Sequence, residues 1–164
     1  MKPGWSLIGL AMWIGMCFGA ALLGSMFTTP SVPTWYAGLV KPSWTPPNWV
    51  FGPVWSALYL MMAVAVWLVW RRGGFATAAI PLTLFLVQLA LNAAWSILFF
   101  GLRMPGLAFA EIVLLWFAIL VTLIMFWRSN PIAGLLLLPY ILWTSFAGAL
   151  NLALWQLNAG GTSG

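Results

Sequence analysis

The 164-residue chain contains thirteen tryptophans, and these are its most numerous candidates for a functional site. Indole rings stack on flat aromatic molecules, and they also anchor helices at the surface of a bilayer. Trp55, Trp95 and Trp143 are the better site candidates, because each shares a helical face with a polar side chain. The chain has no histidine, one cysteine and one acidic residue. That composition argues against classical hydrolysis, a metal site and haem ligation by histidine.

Polar and amphipathic side chains recur inside apolar segments at helical spacing. Residues three, four, seven or eight apart share one face of a helix. Such groups are Trp55 with Tyr59, Gln88 with Asn92 and Trp95, and Trp143 with Asn151. Polar groups that face lipid are costly, so we expect all of them to face the interior of a helix bundle. Two roles stay open for the amides: contact with a ligand, or hydrogen bonds that join helices.

Glu111 is the only acid of the chain, and it lies inside an apolar segment. An intramembrane carboxyl group is a functional-site hypothesis by default. Arg103 is eight residues earlier, which is roughly 12 Å along a helix and too far for a direct ion pair. A structural hydrogen bond and a ligand contact are both open roles for Glu111.

These residues belong to a chain that must use lipid as its solvent. Only 4% of its residues are charged and 64% are hydrophobic, whereas soluble domains carry about 25% charged residues. Apolar runs of about 20 residues predict membrane-spanning helices, because backbone groups in lipid must be paired internally. We predict an all-α, five-helix bundle in one domain, residues 1–158, followed by a flexible tail, 159–164. The predicted spans are 5–27, 49–70, 79–100, 105–127 and 132–157.

The first connection, residues 28–48, differs from the short ones. It holds five prolines together with Trp35, Tyr36 and Trp44. Prolines exclude a continuous helix, and a plain connector needs no aromatic side chains. The composition therefore predicts an ordered loop that acts as a lid, against the alternative of a simple linker.

The net charge of +5 comes from basic residues between the apolar runs. They serve as topology signals, and there is no basic patch suited to nucleic acid. With five spans, four basic residues fall on one side and two on the other, which predicts that the N-terminus is inside. The first side has Lys2, Arg71, Arg72 and Arg128, and the second side has Lys41 and Arg103.

A Gly15-x-x-x-Gly19 pattern permits close helix approach, either inside the bundle or between two copies.

Three motifs in chain order carry a resemblance to a known family. They are Trp35-Tyr36-x-x-Leu39-x-Lys41-Pro42-x-Trp44-x-Pro46-Pro47-x-x-Val50-Phe51-x-x-Val54-Trp55-x-x-Leu58-Tyr59, then Gln88-Leu89-x-x-Asn92-x-x-Trp95-x-x-x-Phe99-Phe100-Gly101, then Pro139-Tyr140-x-x-Trp143 with Leu150-Asn151. With these motifs the chain resembles the tryptophan-rich sensory protein / translocator protein (TspO/MBR) family. The match covers nearly the whole chain, and its spacing is specific.

The resemblance implies a five-helix bundle, often dimeric, with a pocket under the first loop. That pocket binds porphyrins of the protoporphyrin IX type and drug-like ligands of the benzodiazepine-receptor class. By motif position the pocket residues are Tyr36, Trp55, Asn92, Trp95 and Trp143, with Ala110, Leu114, Ala147 and Leu150 as an apolar wall. Tyr59 and Asn151 join them through their place on the same helical faces. No metal and no further cofactor are implied.

Three functions remain open. The first is a membrane receptor or sensor for a tetrapyrrole, with Lys41 or Arg103 at the rim pairing with propionates. The second is an enzyme that degrades protoporphyrin IX in light, in which case Trp55 and Trp143 are the catalytic residues. The third is a tetrapyrrole or lipid transporter.

One departure from the family bears on its ligands. Animal members carry a tyrosine and then a basic residue after the position of Asn151, as part of a cholesterol-recognition pattern. This chain reads Asn151-Leu152-Ala153-Leu154-Trp155-Gln156-Leu157-Asn158 and lacks both. The difference argues against high-affinity cholesterol binding and favours a bacterial member in a bacterial cell membrane.

Overall fold

Five long helices make up the fold in this computed structural model, which describes residues 3–160, with side chains from residue 7 onward. They are α1 (Pro3–Ser31), α2 (Asn48–Trp70), α3 (Phe75–Ser96), α4 (Pro105–Ser129) and α5 (Pro131–Asn158). A π-helical turn, Ile97–Gly101, continues α3, and a short 3₁₀ turn, Tyr36–Gly38, lies in the first loop. Residues 3–160 contain no strand. Lys2 and tail residues 161–164 lie outside the described residues.

All five helices are long and apolar enough to cross a membrane, which confirms the predicted five-helix membrane bundle. Prolines set two of the starts: Pro105 and Pro131 occupy first-turn positions, where a missing N–H costs nothing. The side chain of Asn130 caps α5 by accepting a hydrogen bond from the Ile132 amide at 3.1 Å.

Two helix boundaries differ from the prediction. Helix α1 runs to Ser31, through Pro30, rather than ending near residue 27. Helix α3 begins at Phe75 instead of residue 79, and it is kinked at Ala78, whose backbone angles are not helical. Pro81 explains the kink, because it removes one hydrogen bond from the helix and its ring crowds the preceding turn.

The half of the bundle away from the first loop is densely packed. Trp13 is 1% exposed and meets Phe85 edge to face, and Phe85 stacks on Phe126 with ring centroids 5.8 Å apart. Gly9 lets α1 approach α2 closely, since a Cβ atom there would lie 2.0 Å from the Trp70 ring. This half therefore holds α1 closely against α2.

Helix α4 lies behind α3 and α5, which are its main neighbours, and it hardly touches α2. Helix α1 packs on α2 and α3, and α2 packs on α5. The four helices α1, α2, α3 and α5 therefore surround the space beneath the first loop, and α4 braces two of them from outside.

Candidate ligand-binding cavity

A cavity of about 560 Å³ lies between α1, α2, α3 and α5, beneath the first loop. Its size falls within the range of roughly 300–1,000 Å³ that small-molecule sites occupy. Aromatic side chains form much of its wall, among them Trp55, Trp95, Trp143 and Phe51. None of its lining residues is charged. Such a wall suits a hydrophobic ligand with a flat ring system.

The structure brings nine of the eleven candidate ligand-binding residues into this wall. They are Tyr36, Trp55, Tyr59, Asn92, Trp95, Trp143, Ala147, Leu150 and Asn151. Their convergence follows from the helical faces that the sequence spacing indicated, since α2, α3 and α5 each turn one stripe toward the cavity. Their role as ligand contacts stays a prediction.

Ala110 and Leu114 are not part of the cavity wall, contrary to the expectation of an apolar wall there. Both are exposed, Leu114 to 58%. The buried stripe of α4 runs through Ile112 and Leu115 toward α3 and α5. Ala110 and Leu114 lie two residues to either side of Ile112, roughly 200° around the helix at 3.6 residues per turn, so they face outward.

A chain of hydrogen bonds joins α2, α3 and α5 at the cavity floor. The Tyr59 hydroxyl donates to Asn92 Oδ1, and Asn92 Nδ2 donates to the Tyr140 hydroxyl oxygen at 2.9 Å. The Tyr140 hydroxyl then donates to Gln88 Oε1 at 2.9 Å. All four side chains are buried. This network is the structural role that the sequence left open for Gln88 and Asn92.

Sequence reasoning assigned no role to Tyr140, which is the centre of this network. A signal was present, because Tyr140 precedes Trp143 by three residues and so shares its helical face. The Trp55 ring also packs on Tyr140, with centroids 6.2 Å apart. Tyr140 therefore positions both Asn92 and Trp55.

Asn151 links three helices, α3, α4 and α5. Its Oδ1 accepts from Trp95 Nε1 at 3.0 Å, and its Nδ2 donates to the Pro105 carbonyl at 2.8 Å. The Trp95 ring stacks on Phe99 at 5.1 Å. Trp95 is thereby fixed in orientation before any ligand arrives, which lowers the entropic cost of binding.

Among the three tryptophans that line the cavity, Trp143 has a buried indole N–H without a hydrogen-bond partner in the described part of the chain. Its ring packs against Phe51 and Phe146, with centroids 5.8 and 5.3 Å away. Its Nε1 has no hydrogen-bond partner among the described residues. A buried donor without a partner is costly.

The first loop packs as an ordered cap on this end of the bundle. Tyr36 is 4% exposed and contacts the rings of Phe99 and Phe100. Burial raises the pKa of Tyr36, so its hydroxyl stays neutral. The Ser31 hydroxyl donates to the Phe100 carbonyl at 2.9 Å, which ties the start of the loop to α3.

The tip of the loop is held by α5. Asn158 exchanges two hydrogen bonds with the backbone of Val40, each 3.0 Å long. Lys41 directs its ammonium group to the carbonyls of Ala37 and Leu39, and it lies over the Tyr36 ring at 4.7 Å. These contacts close the top of the cavity.

The remaining charged candidates lie outside the cavity wall. Lys41 is engaged within the loop, and Arg103 is exposed in a left-handed backbone conformation with φ of 57°. Neither lines the cavity, so the expected pairing with propionates has no preformed site. Glu111 does not line it either, and its two buried carboxyl oxygens have no hydrogen-bond partner among residues 7–160.

Comparisons with known proteins find a matching family and several similar sequences. The sequence profile of the TspO/MBR family matches residues 13–156. The chain is 46% identical over 136 residues to "Tryptophan-rich protein TspO" of Archaeoglobus fulgidus, covering 83% of this chain and 88% of that protein. It is 44% identical over 144 residues to human "Translocator protein", covering 87% and 85%. It is 32% identical over 158 residues to "Tryptophan-rich sensory protein" of Cereibacter sphaeroides, covering 96% and 95%.

Proposed function

The chain belongs to the TspO/MBR family, and we propose that it is a membrane receptor or sensor that binds a protoporphyrin IX-type tetrapyrrole beneath its first loop. The observation that carries the proposal is the cavity wall. Trp55, Trp95 and Trp143 surround about 560 Å³ without a charged lining residue. Flat aromatic rings stack on indoles, and burial of the apolar macrocycle drives association. The same wall suits drug-like ligands of the benzodiazepine-receptor class.

The propionate groups of such a ligand need a polar environment. Carboxylates need solvation or a cation, and no lining residue supplies a charge. We therefore expect the propionates to lie at the rim, where Thr29 and Asn48 are exposed.

A titration of the purified protein with protoporphyrin IX in the dark tests this function through tryptophan quenching. Saturable quenching is expected, and the Trp143→Ala variant should bind more weakly. Loss of one stacking indole corresponds to about 1–3 kcal/mol, or roughly 5- to 150-fold in Kd. Trp49→Ala is the matched control, since Trp49 is 74% exposed and does not line the cavity. Equal affinity of Trp143→Ala and Trp49→Ala would contradict the proposal.

An enzyme that degrades the porphyrin in light is the second candidate. The observation in its favour is that Trp55 and Trp143 both line the cavity, where a bound ring system would lie between oxidisable indoles. A receptor leaves the porphyrin absorption spectrum unchanged during illumination, whereas the enzyme removes the band.

The charge pattern supports an orientation with the first loop outside the cell. Arg71 and Arg72 in the turn after α2, and Arg128 near the end of α4, lie at the end opposite that loop. Arg72 donates to the backbone carbonyl of Ser129, which brings these residues together. A basic cytoplasmic side is the rule for short loops.

We also propose a dimer, because Gly15 and Gly19 are exposed and nothing lies within 4 Å of a Cβ atom added at either.

A further inference from the structure

The cavity is covered at its top but not at its side. Every exposed residue that lines it belongs to α1, to α2 or to the start of the loop between them. On α1 these are Leu22, Ser25 and Thr29, and on α2 they are Asn48, Gly52 and Ser56. The lining residues of α3 and α5 are all buried or partly buried. The open side of the cavity is therefore the gap between α1 and α2.

The packing of α1 explains why this gap exists. In its first half α1 lies against α2, where Gly9 admits the Trp70 ring. In its second half it leans on α3 instead. A Cβ atom at Gly24 would lie 3.0 Å from Ser96 Oγ, and one at Gly101 would lie 2.7 Å from the Phe27 ring. Helix α1 therefore separates from α2 as it approaches the loop.

The gap reaches into the depth of the bilayer. Leu22 is nine residues before the end of α1, and Ser56 is eight residues after the start of α2. At 1.5 Å per residue this corresponds to roughly 12–14 Å below the loop end of the spans. Both positions lie inside candidate membrane spans. The opening therefore faces lipid acyl chains over most of its height.

The polar groups on this rim suit contact with lipid. Ser25 donates to the Leu22 carbonyl at 2.8 Å, and Ser56 donates to the Gly52 carbonyl at 2.9 Å. Each hydroxyl is thus satisfied within its own helix, so the rim presents no unpaired donor from these serines to hydrocarbon.

From this geometry we infer that the gap between α1 and α2 is a membrane portal, through which a hydrophobic ligand enters from the bilayer while the loop stays closed. The inference rests on the proposed binding function. The loop contributes no route of its own, because Asn158 holds Val40 and Ser31 holds Phe100. In the ligand-free protein the portal admits lipid acyl chains.

Exchange kinetics of protoporphyrin IX in proteoliposomes test the portal. Ser56→Phe should narrow it and slow both association and dissociation by on the order of tenfold. Ala57→Phe is the matched control, because Ala57 is exposed on the same helix and does not line the cavity. Ser25→Phe repeats the test from α1. Asn158→Ala, which frees the loop, should leave both rates unchanged.

Three results would overturn the portal. One is faster exchange in Asn158→Ala with wild-type rates in Ser56→Phe and Ser25→Phe, since ligand would then pass the loop. Another is slowing by Ala57→Phe alone, which would place access between α2 and α5. The third is a higher Kd in both serine variants that comes only from faster dissociation. In that case the phenylalanine side chain would be filling the cavity rather than narrowing its opening.

A second measurement needs no porphyrin binding, so it separates failure of the portal from failure of the proposed function. A phospholipid with a diazirine in its acyl chain is photolysed in the bilayer, and labelled peptides are mapped by mass spectrometry. Label on buried wall residues such as Ala147 and Leu150, reduced in Ser56→Phe, is the expected result. Label confined to outward-facing residues would refute the portal even if the protein binds porphyrin.

Discussion

The hydrogen bond between Tyr59 and Asn92 should be measurable as a coupling energy. Asn92→Ala leaves the Tyr59 hydroxyl without its acceptor, and Tyr59→Phe leaves Asn92 Oδ1 without its donor. Leaving a buried polar group unpaired costs about 1–3 kcal/mol. Tyr59 lines the cavity and can gain water there, so the lower half of that range applies. We expect each single variant to lower the free energy of unfolding by about 1–2 kcal/mol.

The double variant removes both partners, so its loss should be smaller than the sum of the single losses. Side-chain hydrogen bonds in membrane helix bundles couple by about 0.6 kcal/mol on average and at most by about 1.7 kcal/mol. Reversible unfolding in mixed micelles, followed by circular dichroism, gives the four free energies of the cycle. Additive losses within about 0.3 kcal/mol would show that the two side chains do not interact, and would refute this hydrogen bond.

Two further predictions concern packing and photochemistry. Gly9→Ala should lower the free energy of unfolding, because the added Cβ atom overpacks against Trp70 at a cost of about 1–3 kcal/mol. The higher helix propensity of alanine offsets up to about 1 kcal/mol of that loss. Gly15→Ala, where nothing lies within 4 Å of the added Cβ, should be neutral or stabilising in the same unfolding assay; equal losses would argue against the close approach at Gly9. If the cavity is a photo-oxidative site, the Trp55→Phe, Trp143→Phe double variant should still bind protoporphyrin IX but stop bleaching it in light. Bleaching at the wild-type rate, read from the absorption band, would remove those indoles from the chemistry.

Much of the fold was predictable because the constraint of the bilayer is simple. Backbone groups in lipid force helices, so span number and order follow from apolar runs and their Gly and Pro stops. The stripe Gln88, Asn92, Trp95 was predictable for the same reason, since polar residues avoid lipid and helical periodicity fixes which of them share a face.

Other features depend on packing between helices, which periodicity within one helix does not encode. The outward position of Ala110 and Leu114 follows from the place of α4 behind α3 and α5. The residues themselves are apolar and would suit either a cavity or lipid. The extension of α1 to Ser31 likewise rests on a tertiary contact, the hydrogen bond from Ser31 to Phe100. Proline at position 30 alone argued for an earlier end.

The two halves of the bundle contribute differently to stability and to ligand binding. The half away from the loop is filled by Trp13, Phe85 and Phe126, so truncation there leaves new voids and should cost several kcal/mol. In the loop half, α1 leans on α3 through Gly24 and leaves a cavity already empty of side chains. Truncating a lining indole such as Trp143 enlarges a void that exists in any case. Its effect should therefore fall mainly on ligand affinity, which is why cavity variants of this protein can report on binding without unfolding it.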